Sequence, residues 1–274
     1  INGDDSENTT VASRLIETYF NTYKEYLQST YLENNDVNSE EILNIITLDK
    51  NIEMTENFFA NYITVYAFLF IIMAITISAT YPATDATAGE KERGTLETLL
   101  TFPIKSKDII VGKFLSVTVS SIVTGLLSLI LMIIALLVSE NMFEIYEGVN
   151  LMLPITSLIF ALLVIVVYSF LISGLCIAVA SKSATFKSAQ SALTPLTFIS
   201  FFPGMIAFMI KIKTNVVLSF VPFLNFTMLF TDITNGNVEY INIIAMIIST
   251  FIIIAVVLNI IIRQYKSEKV LFSR

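Results

Sequence analysis

The sequence predicts an all-α polytopic membrane protein: five spanning helices, a short amphipathic helix on a charged internal loop, re-entrant helices, and a small helical segment ahead of the first span. Two observations carry the prediction. The 274 residues are 55 % hydrophobic with a mean hydropathy of +0.75, above the roughly half-apolar content of soluble domains. That excess is gathered into runs long enough to cross a bilayer, which takes about 20 residues at 1.5 Å each.

Residues 1–57 are polar and carry 12 acids against three bases. Leu15, Ile16, Tyr19, Phe20, Tyr23, Tyr26 and Leu27 fall on one face of a helical pattern, with a weaker pattern over 40–48. The tyrosines read as packing residues. Spans are expected at 58–80, 114–138, 151–180, 191–210 and 241–262, so the chain divides into a 1–57 segment and a 58–274 membrane domain.

Charge orients the spans. The 139–150 hairpin has Glu140, Glu144 and Glu147 and no base, whereas the 181–190 turn has Lys182 and Lys187 and no acid. After the last span, Arg263, Lys266, Lys269 and Arg274 face only Glu268. Cytoplasmic flanks are enriched in Lys and Arg. The amino-terminal segment is therefore expected outside the cell membrane and the carboxyl terminus in the cytoplasm.

Residues 214–233 are apolar, yet a sixth crossing would place the basic tail outside. They also contain Pro222, Asn225 and Asp232, which are costly against lipid. A pair of short helices that dip in from the outer face and return satisfies both constraints. Lys211 and Lys213 then lie on the outer side.

Several chemistries are excluded. The chain has no histidine and one cysteine, Cys176, so histidine-dependent zinc or acid–base catalysis and an internal disulfide are ruled out. No metal site and no catalytic residue are expected, and the acidic exterior argues against nucleic acid. A chain opening at Ile1, without an initiator methionine or signal peptide, reads as part of a longer polypeptide.

The loop over 81–112 raises the main question. Between Asp85 and Lys113 stand five acids and five bases. Gly89 and Gly94 have the spacing of a phosphate-binding loop, but Thr95 follows Gly94 where that motif needs Lys, and no strand precedes it. A loop resting on lipid headgroups would gain from the bases but lose it to the acids. A docking element for a soluble partner fits better. Thr87, Ala88, Gly89 and Glu90 have capping-box spacing for a helix start, and an Arg93–Glu97 pair is possible at i,i+4. Leu96, Leu99, Leu100 and Pro103 recur at i, i+3, i+4 and i+7. Gly94 permits a bend, Pro103 ends the helix, and Ser106 with Asp108 starts the next one.

The run from Glu92 to Leu100, with Pro103, Lys105, Gly112 and Lys113, resembles the signature of ABC-2 type transporter membrane subunits. More narrowly it resembles the NatB-like sodium-exporter branch. Val221 to Asn225, Asp232, Gly236 and the tail over 269–272 extend the likeness to residues 58–274. The resemblance implies that the stretch over 87–103 is a cytoplasmic coupling helix. Glu90, Arg93, Gly94, Thr95, Glu97, Leu99, Leu100 and Pro103 would then contact or shape the interface with a separate ABC ATPase. ATP and Mg would be bound there, not by this chain. It also implies a second copy or a homologous permease subunit, and six spanning helices with one ahead of residue 1.

Within the membrane, Pro222, Asn225 and Asp232 are candidates for an outer gate or path. Asn259 either lines a path or bonds a neighbouring helix. Gly174 with Ser173, and Pro203 with Gly204, read as sites of close packing or bends. The leading function is a non-catalytic permease subunit of an ATP-driven exporter of sodium ion, peptide, drug or lipid. The alternatives are an intramembrane enzyme without histidine chemistry and a non-transporting sensor or scaffold.

Overall fold

A computed structural model describes residues 2–3, 15–16, 18–24, 26–27, 53–54, 57–142, 153–237 and 239–266. The chain divides into two compact units, residues 1–60 with 148–150 and residues 61–147 with 151–274. In the first, strand β1 (Asn2–Gly3) pairs in parallel with β2 (Glu53–Met54). Residues 15–16, 18–24 and 26–27 are helical, as the amphipathic pattern predicts. Tyr19, Tyr23 and Tyr26 are exposed, and the Tyr19 ring meets Phe20 edge-on at 6.2 Å. Periodicity identifies an apolar face but not what covers it. The 40–48 pattern lies outside the described residues.

The five expected spans are present in the second unit, each long and apolar enough to cross a membrane. The first, α1 (Asn57–Thr84), does not stop near residue 80. It runs through a π-helical turn (Asp85–Gly89) and a further turn (Glu90–Glu92). Acidic and small residues end an apolar run without breaking a helix. Pro82 removes the amide that would bond the Ser78 carbonyl, and the π turn follows within one helical turn.

Helix α2 (Thr95–Thr101) comes next, then α3 (Ser106–Met142), α4 (Ile155–Ala180) and α5 (Phe186–Met209). At 37 residues α3 is about 55 Å long, well beyond the roughly 30 Å hydrocarbon core. It therefore begins before the expected 114 and takes in Lys113. Two short helices, α6 (Val216–Ser219) and α7 (Leu224–Thr234), precede the last span, α8 (Tyr240–Lys266).

Helix α4 is the packing centre, in contact with α3, α5, α7 and α8. Phe160, Val164, Tyr168, Ile172 and Cys176 are all buried along it. Lipid supplies no hydrophobic drive between helices, so close approach and interhelical hydrogen bonds hold them. Thr76 and Tyr168 share a hydroxyl–hydroxyl bond of 2.7 Å, as do Ser78 and Thr124. Gly204 lets α5 approach α7 and α1, for a Cβ there would lie 2.3 Å from Thr227 Oγ1 and 2.8 Å from Leu69 Cδ2.

The 214–233 stretch is the expected pair of short helices. The longer has 11 residues, about 16 Å, too short to span. Asn215 caps α6 by accepting the Leu218 amide at 2.8 Å. The turn between them holds Phe223 at φ 69°, a conformation bulky side chains avoid. Its ring is buried edge-on to Tyr168 at 6.1 Å. Asn61 donates to Asn235 at 3.0 Å and Ser157 meets Thr234 at 3.4 Å. The pair therefore sits at the end where α1 and α4 begin, opposite Glu90.

Candidate functional site

The charged stretch folds as a hub with a projecting helix. No helix starts at Thr87. Its hydroxyl donates to the Ala83 carbonyl at 2.6 Å inside the continuing helix, and the residue is buried. The capping-box spacing is present, but the backbone ahead of it is already helical, so no free amides need a cap.

Three consecutive residues after the π turn each bind a different element. Glu90 forms an ion pair with Lys113 of α3, and Lys113 also donates to the Ala86 carbonyl at 2.6 Å. Lys91 donates to the Ser181 carbonyl at 2.5 Å, at the C-terminal cap of α4. Glu92 accepts the Phe186 amide at 2.6 Å, the first residue of α5. The signs suit the partners, since helix C-termini favour cations and N-termini anions. Arg93 pairs with Asp85 at 3.0 Å rather than with Glu97. Gly94 lies between them at φ 72°, so residues 93 and 97 do not share one helix and lose their i,i+4 geometry.

Gly94 is the N-cap of α2, and the Thr95 hydroxyl donates to the Glu90 carbonyl at 3.2 Å. Leu96 is buried and Leu99 half-buried, whereas Glu97, Thr98, Phe102, Pro103 and Ile104 are exposed. The side chain of Leu100 lies outside the described residues. The helix ends at Thr101, with Phe102 extended ahead of Pro103, as a residue before proline prefers. Helix α3 begins at Ser106 with Asp108 in its first turn.

Glu90, Arg93, Gly94, Thr95, Glu97, Leu99 and Pro103 thus stand on one continuous piece of chain. Glu90 is turned inward and the others are more open. Sequence reading missed the anchors Asp85, Lys91, Glu92, Lys113, Ser181 and Phe186, and the exposed Phe102 and Ile104. The equal numbers of acids and bases were the available signal for internal pairing. Apolar residues flanking Pro103 on a charged loop were the signal for the tip.

At the opposite end, Asn225 is buried in α7, and its amide donates to the Ser219 carbonyl at 2.9 Å. Among the described residues its carbonyl oxygen has no partner. Pro222 and Asp232 are half-buried. Asn259 is exposed and donates to the Ala255 carbonyl at 2.9 Å in its own helix, not to a neighbour.

Burial pushes the Asp232 carboxyl above the usual carboxylate range, nearby Glu239 adds to this, and the Thr214 hydroxyl opposes it. A raised pKa means the folded state binds the proton more readily. The stability it contributes is full below the unfolded pKa and is lost as pH rises through the folded one. Asp232→Asn is therefore expected to unfold at a higher temperature than the unaltered chain at pH 7, with the gap closing towards pH 4. Equal melting shifts at both pH values would sink this assignment.

Among the described residues no group of three or more His, Cys, Asp or Glu is arranged to hold a metal ion.

Residues 1–263 match the family described as ABC-2 family transporter protein. The chain is also 26 % identical over 231 residues to the ABC transporter permease protein NatB of Bacillus subtilis (strain 168). That alignment covers 83 % of this chain and 59 % of the relative, so the chain spans less than two thirds of that protein's length. No solved structure matches.

Proposed function

The chain belongs to the ABC-2 family of transporter proteins, and from that premise we propose that it is a membrane-spanning, non-catalytic subunit of an ATP-driven exporter. One observation carries the reading. A short helix stands on a left-handed glycine, anchored by Leu96, and with the turn that follows it presents Glu97, Thr98, Phe102 and Ile104 outward from a hub tied to three other elements.

In this reading α2 seats in a cleft of a cytoplasmic ATPase subunit, which binds and hydrolyses ATP with Mg. Glu97, Leu99, Leu100, Pro103, Phe102 and Ile104 make the contact, and Gly94, Thr95 and Arg93 set its angle. Glu90 serves from within by fixing the hub to α3. Lys105, Lys107, Lys182 and Lys187 gather at this same end, which supports its being cytoplasmic and the amino-terminal segment external.

Cargo passes between this subunit and a second copy or a homologous permease. Pro222, Asn225 and Asp232 form part of the outer gate. The similarity to a protein named NatB favours a permease role; sodium ion, a peptide, a drug or a lipid remain the candidate substrates. Closure of the ATPase pair shifts the membrane subunits from an inward-facing to an outward-facing population.

Coexpression with a candidate ATPase tests the docking. Gly94→Trp with Glu97→Arg is expected to abolish co-purification and transport. Phe102→Glu with Ile104→Glu, which leaves the backbone at residue 94 untouched, is expected to do the same. Intact association and transport in both variants would overturn the reading.

A further inference from the structure

We propose that Glu92 is the residue through which movement of α2 reaches α5, and that α5 carries this movement to α7. The inference rests on the docking reading above.

The first link is the hub. Glu90 secures it to α3 through Lys113, and the Thr95 hydroxyl secures α2 to the Glu90 carbonyl. A displacement of α2 therefore reaches the turn Glu90–Glu92 with little loss.

The second link is the cap of α5. The first four amides of a helix have no partner within it. Thr185 takes the Ser188 amide at 3.2 Å, and the Phe186 amide goes to Glu92 at 2.6 Å. A carboxylate on a helix N-terminus is also favoured by the helix dipole, so this attachment has charge as well as geometry behind it. Lys91, one residue earlier, holds the end of α4.

The two helices differ in how firmly they sit. Within the apolar span, 56 % of α4 is buried but only 28 % of α5. In this proposal a pull on both shifts α5 more than the enclosed α4. Pro195 and Pro203 lie inside α5 and remove two of its hydrogen bonds, which lowers the cost of bending there.

The third link lies at the far end of α5. Gly204 packs against Thr227 of α7 and Leu69 of α1 with no room for a Cβ. A packed contact without slack transmits displacement rather than absorbing it. Glu92 and Phe186 are thus positioning residues for α7, which carries Asn225 and Asp232.

Phe186→Pro isolates the central link. Proline removes the amide donor, is well suited to the first position of a helix, and needs an extended residue before it. Thr185 already has φ −125° and ψ 155°. Phe186→Leu is the control, because it keeps the amide while losing the ring packed on Tyr81 at 5.6 Å.

The readout is maleimide labelling of Thr231→Cys, a half-buried position of α7 outside the Gly204 contact, on a Cys176→Ala background, with the chain held in complex with its ATPase. In the otherwise unaltered chain and in Phe186→Leu, ATP is expected to raise the labelling rate about fivefold or more, the lower range of site-to-site coupling. In Phe186→Pro and in Glu92→Ala the ATP effect should disappear while the ATPase still co-purifies. An undiminished ATP effect in those variants overturns the proposal, and Glu92→Ala decides alone if the proline variant fails to fold. If the ATPase does not bind the unaltered chain, the docking reading fails first and takes this inference with it.

Discussion

Lys113→Met is expected to destabilise the folded chain by about 3 kcal/mol, the lower end of the cost of leaving one member of a buried ion pair alone. Lys113 is only 9 % exposed and Glu90 24 %, so water does little to replace the lost partner. Methionine keeps much of the stem, and the loss is concentrated in the ammonium group. The Glu90 carboxylate loses its ion-pair partner and the Ala86 carbonyl loses one of its donors.

Glu90→Gln should cost less, about 1–2 kcal/mol, because the glutamine oxygen still accepts from Lys113 and the Ala86 carbonyl keeps its donor. Combining the two substitutions should cost less than their sum, since each removes the group the other strands. Unfolding midpoints in detergent at neutral pH measure all three. A Lys113→Met cost within about 0.5 kcal/mol of zero, the usual range for surface changes, would show that the pair does not fix the hub.

This pair also shows where sequence reading stops. The apolar runs announced all five spans, but the ends of the first, second and last and the starts of the second and fourth were drawn short, because charge was taken to end a helix. In the folded chain Glu90 and Lys113 lie within helices and neutralise each other across 23 positions of sequence. No local pattern reports such a partner. Lys91 with Ser181 and Glu92 with Phe186 are separated by 90 and 94 positions and are equally silent.

The Thr87 capping spacing misled for a related reason. The same residues serve in a helix interior when the preceding backbone is helical, and then the hydroxyl bonds back to the i−4 carbonyl. Gly94 was readable as a bend, whereas its consequence for Arg93 was not, because the alternative partner Asp85 lies across the π turn. In 214–233 the proline and the buried-polar residues announced a break. The positive φ fell on Phe223, not on a glycine, and only its burial against Tyr168 accounts for a side chain held there.

Gly204→Ala is expected to be the other costly substitution, at about 2–3 kcal/mol. The new Cβ would lie 2.3 Å from Thr227 Oγ1, 2.8 Å from Leu69 Cδ2 and 3.0 Å from Thr227 Cβ. The leucine tip can turn aside. Thr227 Cβ cannot, because it is fixed to the backbone of α7, so α5 and α7 must separate by a few tenths of an ångström.

Thr227→Ala removes the nearest atom and should recover about half of the loss, leaving the tight Cβ contact in place. Alone it should cost little, because among the described residues the buried Thr227 hydroxyl has no partner and its removal relieves an unmet polar group. Gly125 supplies the comparison. A Cβ there meets Ile165 Cγ2 at 2.6 Å, Ile75 Cδ1 at 2.9 Å and Ile75 Cγ1 at 3.1 Å; the Cγ2 methyl moves only with a χ1 that a helix nearly fixes, so Gly125→Ala should cost a similar amount. Unfolding midpoints of the four variants decide the matter. A Gly204→Ala cost within about 0.5 kcal/mol of zero, or no recovery with Thr227→Ala, would mean that the α5–α7 contact yields under load and does not transmit it.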